Sequence, residues 1–314
     1  MRVLVTGIAG FVGPVVARAL LERGHEVWGL ARRPGGPRLA GLAVRLAEAD
    51  VRDAEAVARV VDAARPQAVI HLAGLTFGPA AEADPSAAYA ANLGGTLAVL
   101  GALRARAPRA RLVLASSGEV YGAARPEELP VDEDVPLRPV GVYGASKAAA
   151  EIAAAQWGRA YGLDVVRVRP FNHTGPGQDA AFVCAALARQ VAAIEAGRQE
   201  PVLRVGNVDP VRDFADVRDI AAGYVAVLER GRAGEVYNLC SGEGTSIAEV
   251  IAILRTLARV PMRARSDPEL ARAVDVPRLV GSPARAARDT GWRTRIPLAE
   301  TLRAVLEDWR TRAV

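Results

Sequence analysis

The stretch RVLVTGIAGFVG at residues 2–13 constrains this chain more than any other. A short apolar run passes straight into glycines at every third position, and a periodic apolar stretch follows. RVLVT (2–6) reads as a buried strand, and FVGPVVARALLERG (11–24) as a helix stopped by Gly24. Gly7, Gly10 and Gly13 therefore stand where a strand turns tightly into a helix. Glycine permits that turn and lets a pyrophosphate approach the backbone, while the helix N-terminus presents N–H groups and a positive dipole end. In a chain with 30 glycines such a trio alone says little. Its place between the first strand and the first helix makes it a dinucleotide-phosphate loop.

The alternation continues. EVWGLA (26–31), VRLAEA (44–49), AVIHLA (68–73), RLVLAS (111–116) and VVRVR (165–169) read as strands, with helices near 53–64, 84–106 and 143–161. Strands alternating with helices give an α/β fold with a doubly wound parallel sheet. After Pro170 the rhythm loosens, with helices expected near 180–196, 216–230, 246–259 and 298–312. The expected organisation is a dinucleotide-binding Rossmann domain at 1–170 and a smaller substrate-binding lobe at 171–314. About 211–243 is expected to return to the first domain.

A length of 314 residues, with 51% hydrophobic and 24% charged residues, fits a globular chain of one or two domains. The net charge of +5 is spread along the sequence without blocks, so no nucleic-acid partner is expected. Cys184, Cys240 and the three histidines show no ligand spacing, so no metal site is expected. No run of about 18 apolar residues is evident, so no membrane partner is expected. Glycines interrupt the apolar N-terminus, which excludes a signal peptide and leaves a cytoplasmic enzyme as the expectation.

No acidic residue occurs from Val27 to Ala47, the region where an NAD site places a carboxylate for the ribose. Arg32 and Arg33 stand there instead, which suits the 2′-phosphate of NADP; NAD is the alternative, since arginine is common throughout the chain. Asp50 and Val51 follow the third strand and are placed to meet the adenine. Leu72, Ala73 and Gly74 of HLAG follow the fourth and pass near the cofactor's central phosphates and ribose.

Lys147 is the only lysine among 40 basic residues, and it lies four residues after Tyr143 in YGASK. On a helix both side chains share one face. A compact ammonium, unlike a guanidinium fork, fits a tight slot beside a phenol. Such a cation is expected to lower the Tyr143 pKa and ready it for acid–base work. Ser117, in SSGEVYG after the fifth strand, faces the cofactor crevice and is placed to hydrogen-bond the reacting oxygen; Ser116 reads as its structural neighbour and Tyr121 as packing.

TGIAGFVG, HLAG, Ser117 and YGASK together resemble the extended short-chain dehydrogenase/reductase superfamily over essentially the whole chain. RPFNHTGPGQ (169–178), QEPVLRVGNVDPVRDFADVRD (199–219), GEVYNLCSG (234–242) and VPRLVGSPARAARDTGWRTRIPL (276–298) resemble the GDP-4-keto-6-deoxy-D-mannose reductases. The related GDP-mannose dehydratases usually carry Trp-Gly-His where this chain has Phe214, Ala215 and Asp216. The resemblance implies NADP(H)-dependent reduction of the C4 keto group of a GDP-linked 4-keto-6-deoxy sugar, with Tyr143, Ser117 and Lys147 catalytic. It adds Phe11, Val12, Asn92, Pro170 and His173 to the cofactor site. It places Asn172 at the substrate phosphates, Arg212 and Arg272 at the nucleotide ribose or pyrophosphate, Arg189 near the guanine and Asp275 near its ribose, with Val183 beside them. Asp275 is shorter than the glutamate expected there. Glu119 matches a dehydratase carboxylate, and its alternative is a local hydrogen-bonding role. A homodimer through two helices is implied by analogy. A 4,6-dehydratase or 4-epimerase shares the same core residues, and a non-catalytic NADP-sensing module is the alternative of another class.

Overall fold

The structure is a computed structural model that describes residues 1–270 and 276–312. In the first half, β1 (Arg2–Thr6), α1 (Gly13–Glu22), β2 (Glu26–Ala31), β3 (Val44–Glu48), α2 (Ala54–Ala64) and β4 (Ala68–His71) follow one another. Helices α3 (Gly78–Ala83), α4 (Pro85–Tyr89) and α5 (Gly95–Arg106) precede β5 (Arg111–Ala115), α6 (Val142–Tyr161) and β6 (Val165–Pro170). In the second half come β7 (Asn172–Thr174), α7 (Val183–Glu195), β8 (Val202–Val205), β9 (Val211–Asp216), α8 (Val217–Arg230) and β10 (Val236–Leu239). The chain ends with β11 (Gly244–Ser246), α9 (Ile247–Leu257), β12 (Arg263–Ser266), β13 (Arg278–Leu279), α10 (Ala284–Thr290) and α11 (Leu298–Arg312).

The large sheet has seven strands in the order β3-β2-β1-β4-β5-β6-β10, and every pair in it is parallel. Its strands read as continuous apolar runs because both faces are covered. The two-residue period of a strand divides them between two cores. Val3, Val5, Ile70 and Val113 point to the side covered by α1 and α8, whereas Leu4, Val69, Leu112 and Leu114 point to the side covered by α2, α5 and α6. The chain leaves this sheet after β6 and returns to it through α8 and β10. A separate core gathers α7, α9, α11 and β8 around Leu187, Val191, Leu203, Val250 and Leu302. Strand β9 links the two regions, pairing with β7, β11 and β13.

Local chemistry sets the element ends. Asp53 and Asp216 cap α2 and α8, Ser246 and Glu249 form a capping box on α9, and Gly162 ends α6 in the left-handed conformation. The stretch expected as one helix at 84–106 is interrupted by a single π-helical turn at Ala90–Gly94. That helical run, Pro85–Arg106, also corrects an expectation: by length and composition it would suffice to cross a membrane. Half of its most apolar window is buried inside the protein, as in the core helix of a soluble fold.

Gly13 must be glycine for a packing reason. A Cβ there would lie 2.4 Å from the carbonyl oxygen of Ile8, an immovable backbone neighbour. Gly13→Ala is expected to lower unfolding free energy by about 1–3 kcal/mol in urea titration. Gly78→Ala is the control, because a Cβ at Gly78 meets nothing within 4 Å; it is expected to be near neutral.

Candidate active site

The connections after β1, β4, β5 and β6 leave the carboxyl edge of the parallel strands and touch one another, Gly7 against Ala73, Phe11 against His173 and Gly118 against Phe171. After β1, Gly7 takes φ +71° and its N–H donates to Leu30 O at 2.8 Å, holding the turn against β2. A Cβ on Gly7 would stand 2.8 Å from the Ala73 nitrogen, so the first and fourth connections touch through bare backbone. Thr6 strengthens that contact: its Oγ1 accepts from Ala73 N–H at 3.2 Å and lies 2.6 Å from His71 Nδ1. Burial first, then the Lys147 charge, push the His71 pKa down to about 3, so the ring is neutral.

The opening of α1 fits a pyrophosphate. Its N-terminus has no side-chain cap, and the N–H groups of Phe11, Val12 and Gly13 have no acceptor among the described residues. Three successive open donors at a helix start make an anion cradle. Phe11 stacks on His173, with ring centroids 6.1 Å apart and planes 5° apart. The first connection and the one after β6 thus close on each other, and His173 is fixed by its Nδ1 contact with Phe171 O at 2.8 Å. Pro170 ends β6 beside Leu239 of β10. Arg32 and Arg33 follow β2 and are exposed. Asp50 is engaged by Arg52, whose side chain and backbone hold it at 2.6–3.1 Å. The Arg52 bonds pull the Asp50 pKa down to about 2. Val51 packs against the backbone of α5 at Gly95.

Asn92 sits in the π-helical turn, a feature often found where a helix must aim a functional group. Its Oδ1 accepts from Leu75 N–H at 2.9 Å, and its Nδ2 donates to Leu75 O and to Ser146 Oγ. It anchors the loop after Gly74 to α6. Gly74 has no room for a Cβ, which would fall 2.3 Å from Asn92 Oδ1 and 3.7 Å from Lys147 Nζ.

Tyr143 and Lys147 lie on α6, and Ser117 caps the turn after β5 by accepting from Glu119 N–H at 3.1 Å. The Ser117 side chain stands close enough to the Tyr143 hydroxyl to favour its ionised form. Lys147 is buried and its Nζ donates to Ala115 O at 2.5 Å; burial lowers its pKa to about 8. The tyrosine corrects the sequence expectation. Its pKa is raised, first by the protein packed around its hydroxyl and then by the Glu119 charge, while Ser117 works the other way. The ammonium is spent on the Ala115 carbonyl, and the phenol stays protonated.

On the opposite lip, Asn172 is exposed on β7 beside Phe214 of β9. Arg212, also on β9, donates through Nη1 to Val211 O at 3.0 Å. Arg189 is exposed on α7, and Val183 begins that helix. Asp213 is fully buried and draws in donors from Ser241, Gly242 and Gly281, which fixes the loops around Arg212. Arg272 and Asp275 lie outside the described residues. Sequence reading missed Thr6, His71, Asp213 and Glu151; only Glu151, four residues after Lys147, had a positional signal.

Comparison with known proteins follows this geometry. Residues 4–305 match the family model described as GDP-mannose 4,6 dehydratase. The chain is 40% identical over 311 residues to a GDP-6-deoxy-D-mannose reductase of Pseudomonas aeruginosa, covering 99% of this chain and 98% of the relative. Among solved structures it is similar to RMD from Pseudomonas aeruginosa complexed with NADPH, with a TM-score of 0.87, 38% identity and 99% of each chain covered. It is also similar to a Thermus thermophilus UDP-glucose 4-epimerase complexed with NAD, with a TM-score of 0.89, 33% identity and 99% of each chain covered.

The Glu119 charge is one cause of the raised Tyr143 pKa. Glu119→Gln is therefore expected to lower the Tyr143 titration midpoint, followed by NMR of tyrosine labelled at Cζ and assigned with Tyr143→Phe. An unchanged midpoint would remove Glu119 from the electrostatics of the phenol.

Proposed function

The chain belongs to the GDP-mannose 4,6-dehydratase family, within the extended short-chain dehydrogenases/reductases, and from that premise we propose that it reduces the C4 keto group of a GDP-linked 4-keto-6-deoxy sugar with NADPH. The observation that carries this reading is the 40% identity over 311 residues to a GDP-6-deoxy-D-mannose reductase, and the raised pKa of Tyr143 fits it, because the phenol then starts protonated. A 4-epimerase or 4,6-dehydratase begins by oxidising a C4 hydroxyl and needs a tyrosine that accepts a proton. A reductase begins from a ketone and needs a tyrosine that donates one.

The cofactor, when bound, supplies the hydride. Phe11, Val12 and Gly13 hold its pyrophosphate on open N–H groups, and Arg32 and Arg33 meet the 2′-phosphate. Asp50, Val51, Leu72, Ala73, Gly74, Pro170 and His173 line its path. Ser117 donates to the substrate oxygen and Tyr143 delivers its proton as the C4 oxygen gains charge. Lys147 places positive charge under the same strand end. Asn172, Arg189 and Arg212 receive the nucleotide, a role that suits arginine forks facing phosphate. Asp216, where the dehydratases carry part of the Trp-Gly-His run, is committed to structure: it caps α8 and accepts from Thr301 at 2.8 Å. That supports reduction over dehydration, and Glu119 then serves as a local charge and not as the base of a dehydratase. The 171–314 lobe takes the nucleotide sugar, and two copies pair through α5 and α6, where Leu97, Ile152 and Tyr161 are exposed.

The deciding assay mixes purified protein, NADPH and GDP-4-keto-6-deoxymannose and follows loss of reduced-nicotinamide absorbance. Formation of a product one water lighter from GDP-mannose and oxidised cofactor would instead make the protein a dehydratase. Tyr143→Phe is expected to bind both ligands and turn over at least about 10²-fold slower; comparable turnover would remove Tyr143 from the chemistry. NADPH is expected to bind more tightly than NADH, and replacing both Arg32 and Arg33 by alanine is expected to erase the difference in a fluorescence titration.

A further inference from the structure

Helix α6 carries Tyr143, Lys147 and Glu151 at successive four-residue steps, so the three side chains lie one after another on one face. Lys147 and Glu151 are 4% and 1% exposed. The Glu151 carboxylate is held from two strands. Ser116, at the end of β5, donates to Oε2 at 2.6 Å. Arg169, on β6, donates from Nη2 to Oε1 at 2.6 Å and from Nε to both oxygens at 3.1–3.2 Å. Arg167 stands 3.8 Å away on the same strand. Arg169 reaches on to the Tyr121 hydroxyl at 2.7 Å, and that hydroxyl donates to Asn238 Oδ1 at 2.7 Å.

A pair this deep is poorly explained by stability alone, because desolvating two charges offsets much of their attraction. Its position offers another reason. The groups facing Lys147 come from four sides: neutral His71 on β4, the Ala115 carbonyl on β5, Gly74 with Asn92 behind it, and Tyr143 and Glu151 on its own helix. Of these, Glu151 carries the negative charge. Burial disfavours the ammonium and Glu151 works against that.

We propose that Glu151 is a positioning residue of the catalytic site: its buried carboxylate supplies the counter-charge for the Lys147 ammonium and, through Ser116, fastens the end of β5 so that Ser117 keeps its place beside Tyr143. The proposal rests on the roles of Tyr143, Ser117 and Lys147 given above, and it can be tested apart from them. Because Lys147 is the only lysine, lysine labelled with ¹³C at Cε reports on this one group.

The unaltered protein is expected to show a Lys147 midpoint near 8. In Glu151→Gln the midpoint is expected to fall by on the order of one unit, whereas Glu151→Asp keeps the charge and holds the midpoint. Glu151→Gln strands Arg169 without its partner, so the paired variant Glu151→Gln with Arg169→Met serves as the folding control and is expected to show a smaller fall, because loss of the Arg169 cation offsets part of the lost Glu151 charge. An unchanged midpoint in folded Glu151→Gln overturns the proposal. The alkaline limb of kcat/KM is the second readout and is expected to move down with the midpoint. A midpoint that falls while the limb stays still supports the proposal and counts against Lys147 in the reduction. A midpoint that stays while turnover is normal sinks the proposal and leaves that role standing.

Discussion

Parallel pairing of the seven strands is the constraint from which the rest follows. Parallel neighbours require each strand to reach the next by a crossover, and helices make these crossovers on both faces of the sheet, except between β2 and β3, where residues 32–43 form a loop. All the connections that leave the carboxyl edge therefore rise on one side. The cleft is the place where those loops converge: glycines after β1, HLAG after β4, serines after β5 and the Phe171–His173 turn after β6 are distant in sequence and adjacent at that edge. The same geometry explains why bare backbone matters there. Gly7 and Gly74 let neighbouring connections approach to distances that a side chain would forbid.

Charge inside the cleft is arranged in layers. The outermost is the exposed Glu119 carboxylate, which adds to the effect of burial in raising the Tyr143 pKa. Beneath it lies Lys147, bonded to Ala115 and paired at a distance of one helical turn with Glu151. Deeper still, Arg169 ties Glu151 to Tyr121 and so to β10 through Asn238. The two deeper layers draw on β5, β6 and β10, so the charge around Lys147 depends on the strand that returns from the second half of the chain.

The second half provides the facing lip by a different principle. Strand β9 reaches across from the smaller core and pairs with β7, which leaves Asn172 and Arg212 on adjoining strands opposite the cofactor cradle. Among the described residues no cation is paired with buried Asp213. It accepts hydrogen bonds from Ser241 and Gly242 in one loop and Gly281 in another, a way for a carboxylate to be buried without an ion pair.

Much of this was legible in the residues. Apolar runs bounded by glycine located the strands of the large sheet, the glycine trio located the tight turn and the open N–H groups at the start of α1, and the lone lysine four residues after a tyrosine located a buried ammonium on α6, because each of these signals is local and short-range. The Tyr143 pKa was not legible, since its sign is set first by how deeply the phenol is packed and then by Glu119, and both are decided by elements distant in sequence. Glu151 looked like one more helical carboxylate until β5 and β6 brought Ser116 and Arg169 to it. The π-helical turn that aims Asn92 left no mark in an alanine-rich helix. Sequence alone determined the order of elements and the chemical groups each one carries, because backbone preference and spacing along the chain decide both. Only the tertiary structure decided which of those groups are charged, paired or open, because burial and the distance between separate strands set the energy of a charge.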